Sequence, residues 1–390
     1  MIQVGIIGVR GMVGSTLLDR MRTENDLENL NITFFSTSQP NTPAPDINQQ
    51  QKNFANAHQI NSLSKMDILI STQGSQYTQE VHPKLRNLNW AGYWIDAASH
   101  LRMHKSSIII LDPINKTHIE DGLKNGIKDF IGSNCTVSLM LMAIAGLTQK
   151  ELIKSIQATT YQAISGSGAN AITELYDQLR ITSQMASEQQ GLDLANTLHH
   201  KLQADENQLP KKHIQNTLAM SLIPWIDTSM PHGQTKEEWK AMCETNKILN
   251  TEKSPIPIDS TCVRIPTLRC HSQSLFLELH QDLSVEEIEE LIDNAHPWVN
   301  VVPNNQKESI HQLSPINCAN SLSIKVGRIR KTNKSPNHIQ LFTTGDQLLW
   351  GAAEPIRRTL KIIIKHIQKN QRNHPKNATK ASQKTTLNIQ

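Results

Sequence analysis

The sequence predicts an α/β protein with an N-terminal parallel sheet and a second, α+β domain. Three observations support this class. The chain opens with a short apolar strand, a glycine-rich turn and a helix; apolar strands then alternate with helical segments to about residue 133; and beyond that point strands and helices follow without regular alternation. A chain of 390 residues is long enough for two domains with sizeable cores.

The opening strand, turn and helix are typical of a Rossmann-type dinucleotide-binding domain. Residues 3–7 form the predicted strand and residues 15–23 the helix. Gly8 permits a tight turn, and Gly11 lets the backbone approach a pyrophosphate at the helix N-terminus. Gly14 would allow the helix to pack closely on the strand. The spacing is GxxGxxG rather than GxGxxG, so a structural glycine turn of another α/β fold is the alternative.

The end of the second predicted strand, residues 31–35, favours NADP over NAD. NAD-binding domains usually place an acidic residue here to bind the ribose 2′-hydroxyl. This chain instead has hydroxyl groups at Ser36, Thr37 and Ser38. A 2′-phosphate would be repelled by an acid, whereas Arg10 in the first turn could hold it together with these hydroxyls.

The remaining pattern divides the chain into three parts. Further strands of the parallel sheet are predicted at 66–70, 92–96, 107–111 and 129–131, with a helix at 77–87 and a loop at 39–62. The second domain has predicted strands at 156–162, 275–280, 322–330 and 339–343 and helices at 170–187, 190–205, 235–248 and 284–293. The expected domains are 1–133 with a returning last helix at 354–368, 134–353, and a tail at 369–390.

Cys135 is a candidate nucleophile. It follows the predicted strand 129–131 and begins an apolar helical run that has no charge before Lys150. At a helix N-terminus, unpaired N–H groups and the helix dipole favour an anion, so we expect a thiol pKa below its usual value of about 8.5. The alternative is a small buried hydrophobic side chain, as most isolated cysteines are.

The five cysteines have no tight spacing and are odd in number, which argues against a disulfide framework and a cysteine-rich zinc site. No metal is expected. The start of the chain lacks the charged region and cleavage site of a signal peptide, and no apolar run approaches the roughly 18 residues of a membrane span. We therefore expect a reducing, cytoplasmic setting and no membrane partner.

The positive charge of the chain is concentrated at its C-terminus. The net charge is +4, whereas residues 361–390 hold seven Lys or Arg and no Asp or Glu, which leaves the rest of the chain at −3. Beyond about Asn370 the tail is polar and aperiodic, which predicts disorder. Nucleic-acid contact is the alternative for the tail, but the acidic body argues against a nucleic-acid binder.

A series of short stretches between residue 1 and about 367 carries a family pattern. They are GVRGMVGS (8–15), FFSTSQP (34–40), YWIDAAS (93–99), IILDPIN (109–115), SNCTVSLMLM (133–142), ATTYQAISGSGA (158–169), SLIPWID (221–227), EEWK (237–240), ETNKILNT (244–251), LRCHSQ (268–273) and GDQLLWGAAEP (345–355). Together and in this order they resemble the aspartate-β-semialdehyde dehydrogenases, most closely the Gram-negative bacterial type. The tail from about residue 368 has no counterpart in that pattern.

The resemblance implies a reversible, NADPH-dependent reduction of β-aspartyl phosphate to aspartate β-semialdehyde and phosphate. This reaction would serve the biosynthesis of lysine and diaminopimelate, threonine, methionine and isoleucine. Cys135 corresponds to the family's nucleophile, which expels phosphate and carries the acyl group as a thioester. Hydride from the nicotinamide then gives a hemithioacetal that collapses to the aldehyde. The resemblance also implies a homodimer formed through the second domain.

The resemblance assigns roles to five further residues. His271 matches the acid/base, and Arg264 matches the clamp on the substrate α-carboxylate. Glu237 would take the substrate ammonium, while Lys240 and Arg102 would hold the phosphate. From their spacing alone, Glu237 and Lys240 would be interpreted as an ordinary surface ion pair on a helix, and it is the EEWK match that favours the substrate site.

Other residues are expected to position the substrate or the cofactor. Gln162 matches a substrate-positioning residue, and Asn134 is expected to face the oxyanion with backbone N–H groups. The turn at 165–169 resembles a cofactor-contacting turn that is usually richer in glycine, so the effect of Ser167 is open. The residues expected to contact NADP are Gly8, Arg10, Gly11, Met12, Val13, Thr37, Ser38, Gln73, Ser165, Gly166 and Gln347.

Three other functions fit part of the sequence. A sister enzyme acting on N-acetylglutamyl phosphate would share the thioester chemistry, but an acylated amine does not require the acid at Glu237. A catalytically silent dinucleotide-binding regulator would have no use for Cys135 and His271. A cysteine hydrolase would leave the glycine turn and the Ser-Thr-Ser strand end unexplained.

Overall fold

Two β-sheets organise the chain, one all-parallel and one mixed. The computed structural model describes residues 1–47, 52–185, 189–204 and 208–373. The tail predicted from residue 369 begins later than expected, because the last helix continues to Asn373; residues from 374 onward, for which disorder is predicted, lie outside the described part. The predicted ends of two helices, at 186–187 and 205, lie outside it as well.

The first sheet contains seven strands in the order β3-β2-β1-β4-β5-β7-β6, and every neighbouring pair is parallel. Its strands are β1 (Ile2–Ile7), β2 (Leu30–Ser36), β3 (Ala55–Asn56), β4 (Ile68–Ser71), β5 (Tyr93–Asp96), β6 (Ser107–Ile110) and β7 (Asp129–Gly132). Most of these strands are apolar on both faces, as a parallel sheet covered by helices requires. The predicted α/β class is confirmed.

The helices of the chain are α1 (Met12–Thr23), α2 (Ile60–Leu63), α3 (Ser75–Asn87), α4 (Asp112–Lys124), α5 (Cys135–Ala143), α6 (Ala145–Gln149), α7 (Ala169–Met185), α8 (Gly191–Ala204), α9 (Lys236–Leu249), α10 (Val285–Asp293), α11 (Gln306–Gln312), α12 (Pro315–Cys318) and α13 (Glu354–Asn373). Side chains of α1, α4 and α13 pack on one face of the first sheet, and those of α2 and α3 pack on the other. The last helix thus lies against the sheet formed by the start of the chain.

The second sheet contains six strands in the order β11-β12-β13-β10-β8-β9. Its strands are β8 (Ile153–Gln162), β9 (Ile258–Arg264), β10 (His271–Leu279), β11 (Val299–Val301), β12 (Ile324–Lys331) and β13 (His338–Gly345). The pairs β8–β9 and β11–β12 are parallel and the other pairs antiparallel. Helices α5, α6, α9 and α10 share one hydrophobic core with one face of this sheet.

The structure contains elements that the sequence pattern did not predict. Strand β9 and helix α4 were not predicted, and β10 begins at His271 rather than at residue 275. The segment 39–62, predicted as a loop, contains the short β3 and α2. At the start of β10 three polar residues in a row are buried, so hydrophobic periodicity gives no signal there.

Candidate active site

The candidate nucleophile lies in the first turn of α5, where the two sheets meet. Asn134 caps this helix: its Oδ1 accepts the N–H groups of Thr136 at 2.9 Å and Val137 at 3.3 Å. Cys135 is therefore the first helical residue. A π-helical turn, Leu349–Ala353, precedes α13 and contacts α5, and a Cβ built on Gly351 would lie 2.7 Å from Cys135 Cβ. The π-helical turn is thus packed closely against the first turn of α5 at Cys135.

The first residue of β10 places an imidazole beside this sulfur. His271 Nε2 lies 3.3 Å from Cys135 Sγ, although the two residues are 136 positions apart. On the other side of the ring, the backbone N–H of Ala163 donates to Nδ1 at 3.1 Å. Since Nδ1 accepts this bond, a neutral His271 carries its proton on Nε2, facing the sulfur.

Burial sets the ionisation of both groups in the free protein. It raises the pKa of Cys135 to about 12, with the Glu237 carboxylate adding to the rise and the nearby cations opposing it. Burial, followed by the charge of Arg264, lowers the pKa of His271 to about 3. The lowered thiol pKa expected from the helix N-terminus is therefore wrong for the free protein, because desolvation and the charge of Glu237 together outweigh the nearby cations.

A buried carboxylate forms the centre of the site. Glu237 is 6% exposed, and its Oε1 accepts from Asn134 Nδ2 at 2.9 Å and Gln162 Nε2 at 3.2 Å. Its Oε2 accepts from Lys240 Nζ at 2.9 Å. Burial alone would raise the pKa of Glu237, but Lys240 and these hydrogen bonds lower it. Glu237 and Lys240 therefore form a buried ion pair, not the surface ion pair that their spacing alone suggested.

Asn134 makes two structural contacts, and the role expected for it at the oxyanion stays a prediction. Its Oδ1 is used as the helix cap, and its Nδ2 is used by Glu237. The Asn134 side chain binds the N–H groups of Thr136 and Val137. Among the first-turn N–H groups of α5, that of Cys135 is therefore the one available to a ligand. Asn134 thus fixes the N-terminus of α5 relative to the Glu237 carboxylate.

Arg264 reaches the site from the end of β9. The register of the parallel β8–β9 pair sets it beside Gln162. Its Nη1 donates to the carbonyl of Ala163 at 2.7 Å, next to the Ala163 N–H that fixes His271. A Cβ on Gly166 would lie 3.0 Å from Arg264 Nη1, so this turn covers the guanidinium closely. Burial lowers the pKa of Arg264.

The two cations predicted to hold phosphate already have acidic partners. Arg102 Nη1 lies 3.0 Å from Glu244 Oε1. Lys240 Nζ lies 2.8 Å from Asp227 Oδ2, in addition to its contact with Glu237. Sequence reasoning missed Glu244 and Asp227 as partners, although both lie within the family-like stretches ETNKILNT and SLIPWID.

The glycine turn after β1 has the geometry of a phosphate site. Gly8 has φ +86°, and a Cβ on Gly14 would lie 2.2 Å from the Gly8 carbonyl oxygen. Gly11 caps α1 without a side-chain hydrogen bond, and Met12 and Val13 form its first turn. The N–H groups of this turn are therefore presented to an anion, and the residues fit a dinucleotide.

The Arg10 guanidinium meets the hydroxyls that follow β2. Its Nη2 donates to Ser36 Oγ at 2.8 Å and to Ser38 Oγ at 3.2 Å, and Gln39 is a third partner. The guanidinium also lies over the ring of Phe54, 5.0 Å from its centroid. Thr37 lies between the two serines. Sequence reasoning did not identify Gln39 or Phe54.

The remaining predicted cofactor residues lie at two places. Gln73 is exposed beside the Gly8 turn. Gln347 is buried; its Oε1 accepts the Cys270 N–H at 2.7 Å, and its Nε2 donates to Ser165 Oγ. It therefore supports the backbone before His271.

The turn that contains Ser165 and Gly166 accommodates the serine at its third position. Residues Ile164–Ser167 form a 3-10 turn, and the positive φ of +97° falls on Gly168. The backbone at Ser167 therefore does not need the left-handed conformation that favours glycine.

None of the helices in the described part of the chain is long and apolar enough to span a bilayer. No group of three or more His, Cys, Asp or Glu side chains there could hold a metal ion.

Two family profiles match the chain. The one described as semialdehyde dehydrogenase, NAD binding domain, matches residues 3–122. The one described as semialdehyde dehydrogenase, dimerisation domain, matches residues 144–350. Together they cover most of both sheets, and the interval between them contains β7 and the candidate nucleophile.

Solved structures of similar proteins agree with these profiles. Aspartate semialdehyde dehydrogenase from Francisella tularensis is 47% identical, with 93% of this chain and 100% of that chain covered and a TM-score of 0.90. Aspartate semialdehyde dehydrogenase II from Vibrio cholerae, complexed with ASA, is 21% identical over 94% and 98% of the chains, with a TM-score of 0.78. The Candida albicans enzyme with NADP is 15% identical over 95% and 99%, with a TM-score of 0.62. The last two show the fold alone.

Proposed function

The chain belongs to the aspartate-semialdehyde dehydrogenase family, and from this we propose how its site performs the reaction. The reaction is the reductive dephosphorylation of β-aspartyl phosphate to aspartate β-semialdehyde with a nicotinamide cofactor. One observation carries the mechanism: Cys135 Sγ lies 3.3 Å from His271 Nε2, in a site that also holds a buried carboxylate and three buried cations.

The substrate is oriented by charges of opposite sign. Glu237 is an anion at the centre of the site and is suited to the substrate ammonium. Arg264 offers a planar fork to the α-carboxylate. Arg102 and Lys240 are suited to the acyl phosphate. Gln162 lies between Glu237 and the strand that carries Arg264, where it can position the acyl group.

Cys135 forms the covalent intermediate. Its sulfur attacks the acyl carbon, the bond to phosphate oxygen breaks, and the thiol proton leaves on the phosphate. Passing this proton to the leaving group suits a thiol that burial keeps protonated in the free protein. The N–H of Cys135 is placed to stabilise the oxyanion. The product of this step is an acyl-thioester on Cys135 and free phosphate.

His271 acts in the reductive step. When bound, the cofactor supplies a hydride to the thioester carbon. The Nε2–H of His271 then hydrogen-bonds to the oxygen that becomes negative and stabilises it. When the C–S bond of this hemithioacetal on Cys135 breaks, the aldehyde leaves and the sulfur takes up a proton from solvent to become the free thiol. The Ala163 N–H keeps the ring in the tautomer that can donate from this atom.

The Gly8 turn and the residues after β2 support NADP as the cofactor. Arg10 and two hydroxyls already converge where a 2′-phosphate would lie, and no acidic side chain is among the partners of Arg10. An arginine fork with hydroxyl donors favours a 2′-phosphate over a free 2′-hydroxyl. Replacing NADP⁺ by NAD⁺ in the assay below should lower the rate, and equal rates would remove this assignment.

The experiment that tests the function is a phosphate-dependent assay. Purified protein receives aspartate semialdehyde, inorganic phosphate and NADP⁺, and NADPH absorbance is followed. The wild type should make NADPH continuously only when phosphate is present, because without phosphate the reaction stops after one NADPH per chain. Cys135→Ala should produce none. Continuous turnover without phosphate, or a signal that survives in Cys135→Ala, would contradict the mechanism.

The buried anion at Glu237 argues against the sister enzyme that acts on N-acetylglutamyl phosphate. An acylated amine carries no charge, so the cost of burying a carboxylate there would bring no gain in substrate binding. In the same assay, N-acetylglutamate semialdehyde should give no phosphate-dependent NADPH.

A homodimer is part of the proposal. Within residues 144–350, Tyr176, Leu222 and Trp225 are 64%, 54% and 47% exposed, and half-buried aromatic rings of Tyr161 and Phe342 lie on the outer face of the second sheet. Exposed apolar surface of this kind is typical of a protein–protein interface, and a second copy of the chain would bury it. Light scattering should give twice the 43.8 kDa chain mass, and a monomer would contradict this.

The setting proposed for the enzyme is the cytoplasm. All five cysteines are free, as a reducing compartment and a thiol nucleophile require. The product would feed lysine and diaminopimelate, threonine, methionine and isoleucine biosynthesis. Loss of the gene should make cells require these amino acids, and cell fractionation should recover the activity with cytoplasmic proteins.

A further inference from the structure

Helix α9 presents four charged side chains on one face. Glu237, Lys240, Glu244 and Lys247 follow one another at intervals of three or four residues, which places them in one stripe. All four are buried, with exposures of 6%, 9%, 2% and 9%. Charged side chains are rarely buried to this extent unless each has a partner. The first two have roles in the proposed function, and the last two have none so far.

Glu244 joins two parts of the active site that are distant in sequence. Its Oε1 accepts from Arg102 Nη1 at 3.0 Å, and its Oε2 accepts the backbone N–H of Asn134 at 2.7 Å. Arg102 is a predicted phosphate ligand, and Asn134 is the residue that caps the nucleophile's helix. One carboxylate therefore contacts both the phosphate clamp and the N-terminus of α5.

The contact with Asn134 replaces a missing part of a helix cap. In a capping box, an acid three residues after the cap accepts the N–H of the cap residue, as Glu238 does for Thr235 in α9. The corresponding residue of α5 is Val137, which has no acceptor. Glu244 supplies this acceptor from another helix, so α5 keeps a complete cap only while α9 is in place.

The contact with Arg102 fixes the direction of its guanidinium. Nε donates to the Gly132 carbonyl at 2.7 Å, and Nη2 donates to the Ala97 carbonyl at 3.3 Å. Together with the Glu244 contact, these bonds use three of the five N–H groups of Arg102 in the described structure, which leaves one N–H on each terminal nitrogen for an anion. Such a pair matches two phosphate oxygens.

Lys247 holds the backbone from which Arg102 extends. Its Nζ donates to the carbonyl of Arg102 at 2.6 Å and to that of His104 at 2.7 Å. The same helix face therefore fixes the main chain of Arg102 through Lys247 and its side chain through Glu244.

We propose that Glu244 is a positioning residue that aims Arg102 at the phosphate of the substrate and holds it in register with the nucleophile's helix, with Lys247 as its supporting partner. The proposal rests on the proposed function, because it concerns the phosphate site of that reaction. A carboxylate is required since both of its partners are N–H donors. A glutamine has one acceptor oxygen, so its amide group would face one of these donors unpaired.

The test compares Glu244→Gln with the wild type in the phosphate-dependent assay. The KM for inorganic phosphate should rise about tenfold or more, as expected for the loss of a hydrogen bond between charged groups, while the KM for aspartate semialdehyde stays within about twofold. A merely structural role would raise both constants or lower the melting temperature alone. Glu120→Gln, on the exposed face of α4, is the matched control and should leave both constants unchanged.

A second readout does not depend on activity. Inorganic phosphate should raise the melting temperature of the wild type and of Glu120→Gln, and should raise that of Glu244→Gln less at the same concentration. If the wild type shows no phosphate-dependent turnover, the proposed function fails, yet this comparison still reports on Arg102 and Glu244.

A second variant covers the case in which Glu244→Gln does not fold. Lys247→Met keeps most of the side-chain stem but loses both bonds to the 102–104 backbone, so it should also raise the KM for phosphate. An unchanged KM for phosphate, together with an unchanged phosphate-induced shift, in either folded variant would overturn the proposal.

Discussion

The Glu237 carboxylate opposes ionisation of the Cys135 thiol. Burial is the larger cause of the raised thiol pKa, and the negative charge of Glu237 is the second. A substrate ammonium paired with Glu237 would cancel that charge and lower the thiol pKa. In the proposed reaction the nucleophile therefore becomes more reactive when the correct substrate is bound.

Neutralising Glu237 should make the thiol of the free protein more reactive. Below its pKa, the thiolate fraction of Cys135 rises about tenfold for each unit by which the pKa falls. Glu237→Gln should therefore speed alkylation of Cys135 by iodoacetamide at pH 8 by roughly threefold or more, while turnover falls because the ammonium site is lost. The labelling rate of the Cys135 peptide, measured by mass spectrometry, checks this.

All variants in this labelling experiment should also carry a substitution that removes a second reactive thiol. Cys243 is half-buried, whereas the other three cysteines are buried, so Cys243→Ser removes the competing thiol. Glu120→Gln in the same background should alkylate at the wild-type rate. An alkylation rate in Glu237→Gln equal to or below that of wild type would show that the carboxylate does not hold back the thiol.

The site residues that could be predicted from the sequence are those that belong to a recognisable motif. Cys135, His271 and Glu237 lie together in the structure, at positions that the family resemblance indicated. Glu244 was missed because its role depends on contacts 142 and 110 positions away along the chain. The sequence offered one indication of this role: Glu244 follows Glu237 by seven residues, which places both on the same face of α9.

The N-terminus of α5 is held by elements that contribute no reacting atom. The π-helical turn before α13 brings Gly351 against Cys135, and Gln273 on β10 donates to the Thr136 carbonyl at 2.8 Å. These contacts fix the position of the first turn of α5 from two sides. The direction of attack by the sulfur should therefore be sensitive to changes in these neighbours.

Gly351→Ala should reduce catalysis by displacing the nucleophile. The added Cβ would lie 2.7 Å from Cys135 Cβ, a distance that forces one helix end to shift. We expect kcat to fall between about tenfold and a hundredfold, with the KM for NADP⁺ nearly unchanged because the Gly8 turn is not involved. Steady-state kinetics and the melting temperature of the variant are the measurements.

The matched control for this prediction is Gly132→Ala in β7. There the nearest atom to the added Cβ is 3.4 Å away, an ordinary contact. Its kcat should stay within a few-fold of wild type. If Gly351→Ala is folded and equally active, the close packing of the π-helical turn has no catalytic consequence.

Elements were predictable where their hydrophobic pattern is simple. Six of the seven described strands of the parallel sheet were found within a few residues, because they are short apolar runs; β3 lies in the segment predicted as a loop. Strand β9 has the sequence IDSTCVR, and β10 begins with His271-Ser272-Gln273. These polar strand parts carry or border the site, so hydrophobic periodicity could not reveal them.

For the molecule as a whole, the active site depends on parts that are distant in the chain. Helix α13 completes the core of the first sheet with Ile356, Leu360 and Ile363. Arg357 in this helix forms buried ion pairs with Asp26 and Glu354. The return of the last helix was expected from the sequence, whereas the ion pair with Asp26 was not, because no local pattern relates residues 331 positions apart.

The whole mechanism depends on an acyl-thioester at Cys135, and a reaction without phosphate would reveal this intermediate. Mixing the protein with aspartate semialdehyde and NADP⁺ without phosphate should release a burst of one NADPH per chain and leave an acyl group on the Cys135 peptide. Adding phosphate should then remove the acyl group. No burst, or an acyl group on any other residue, in a protein that turns over with phosphate would contradict the account.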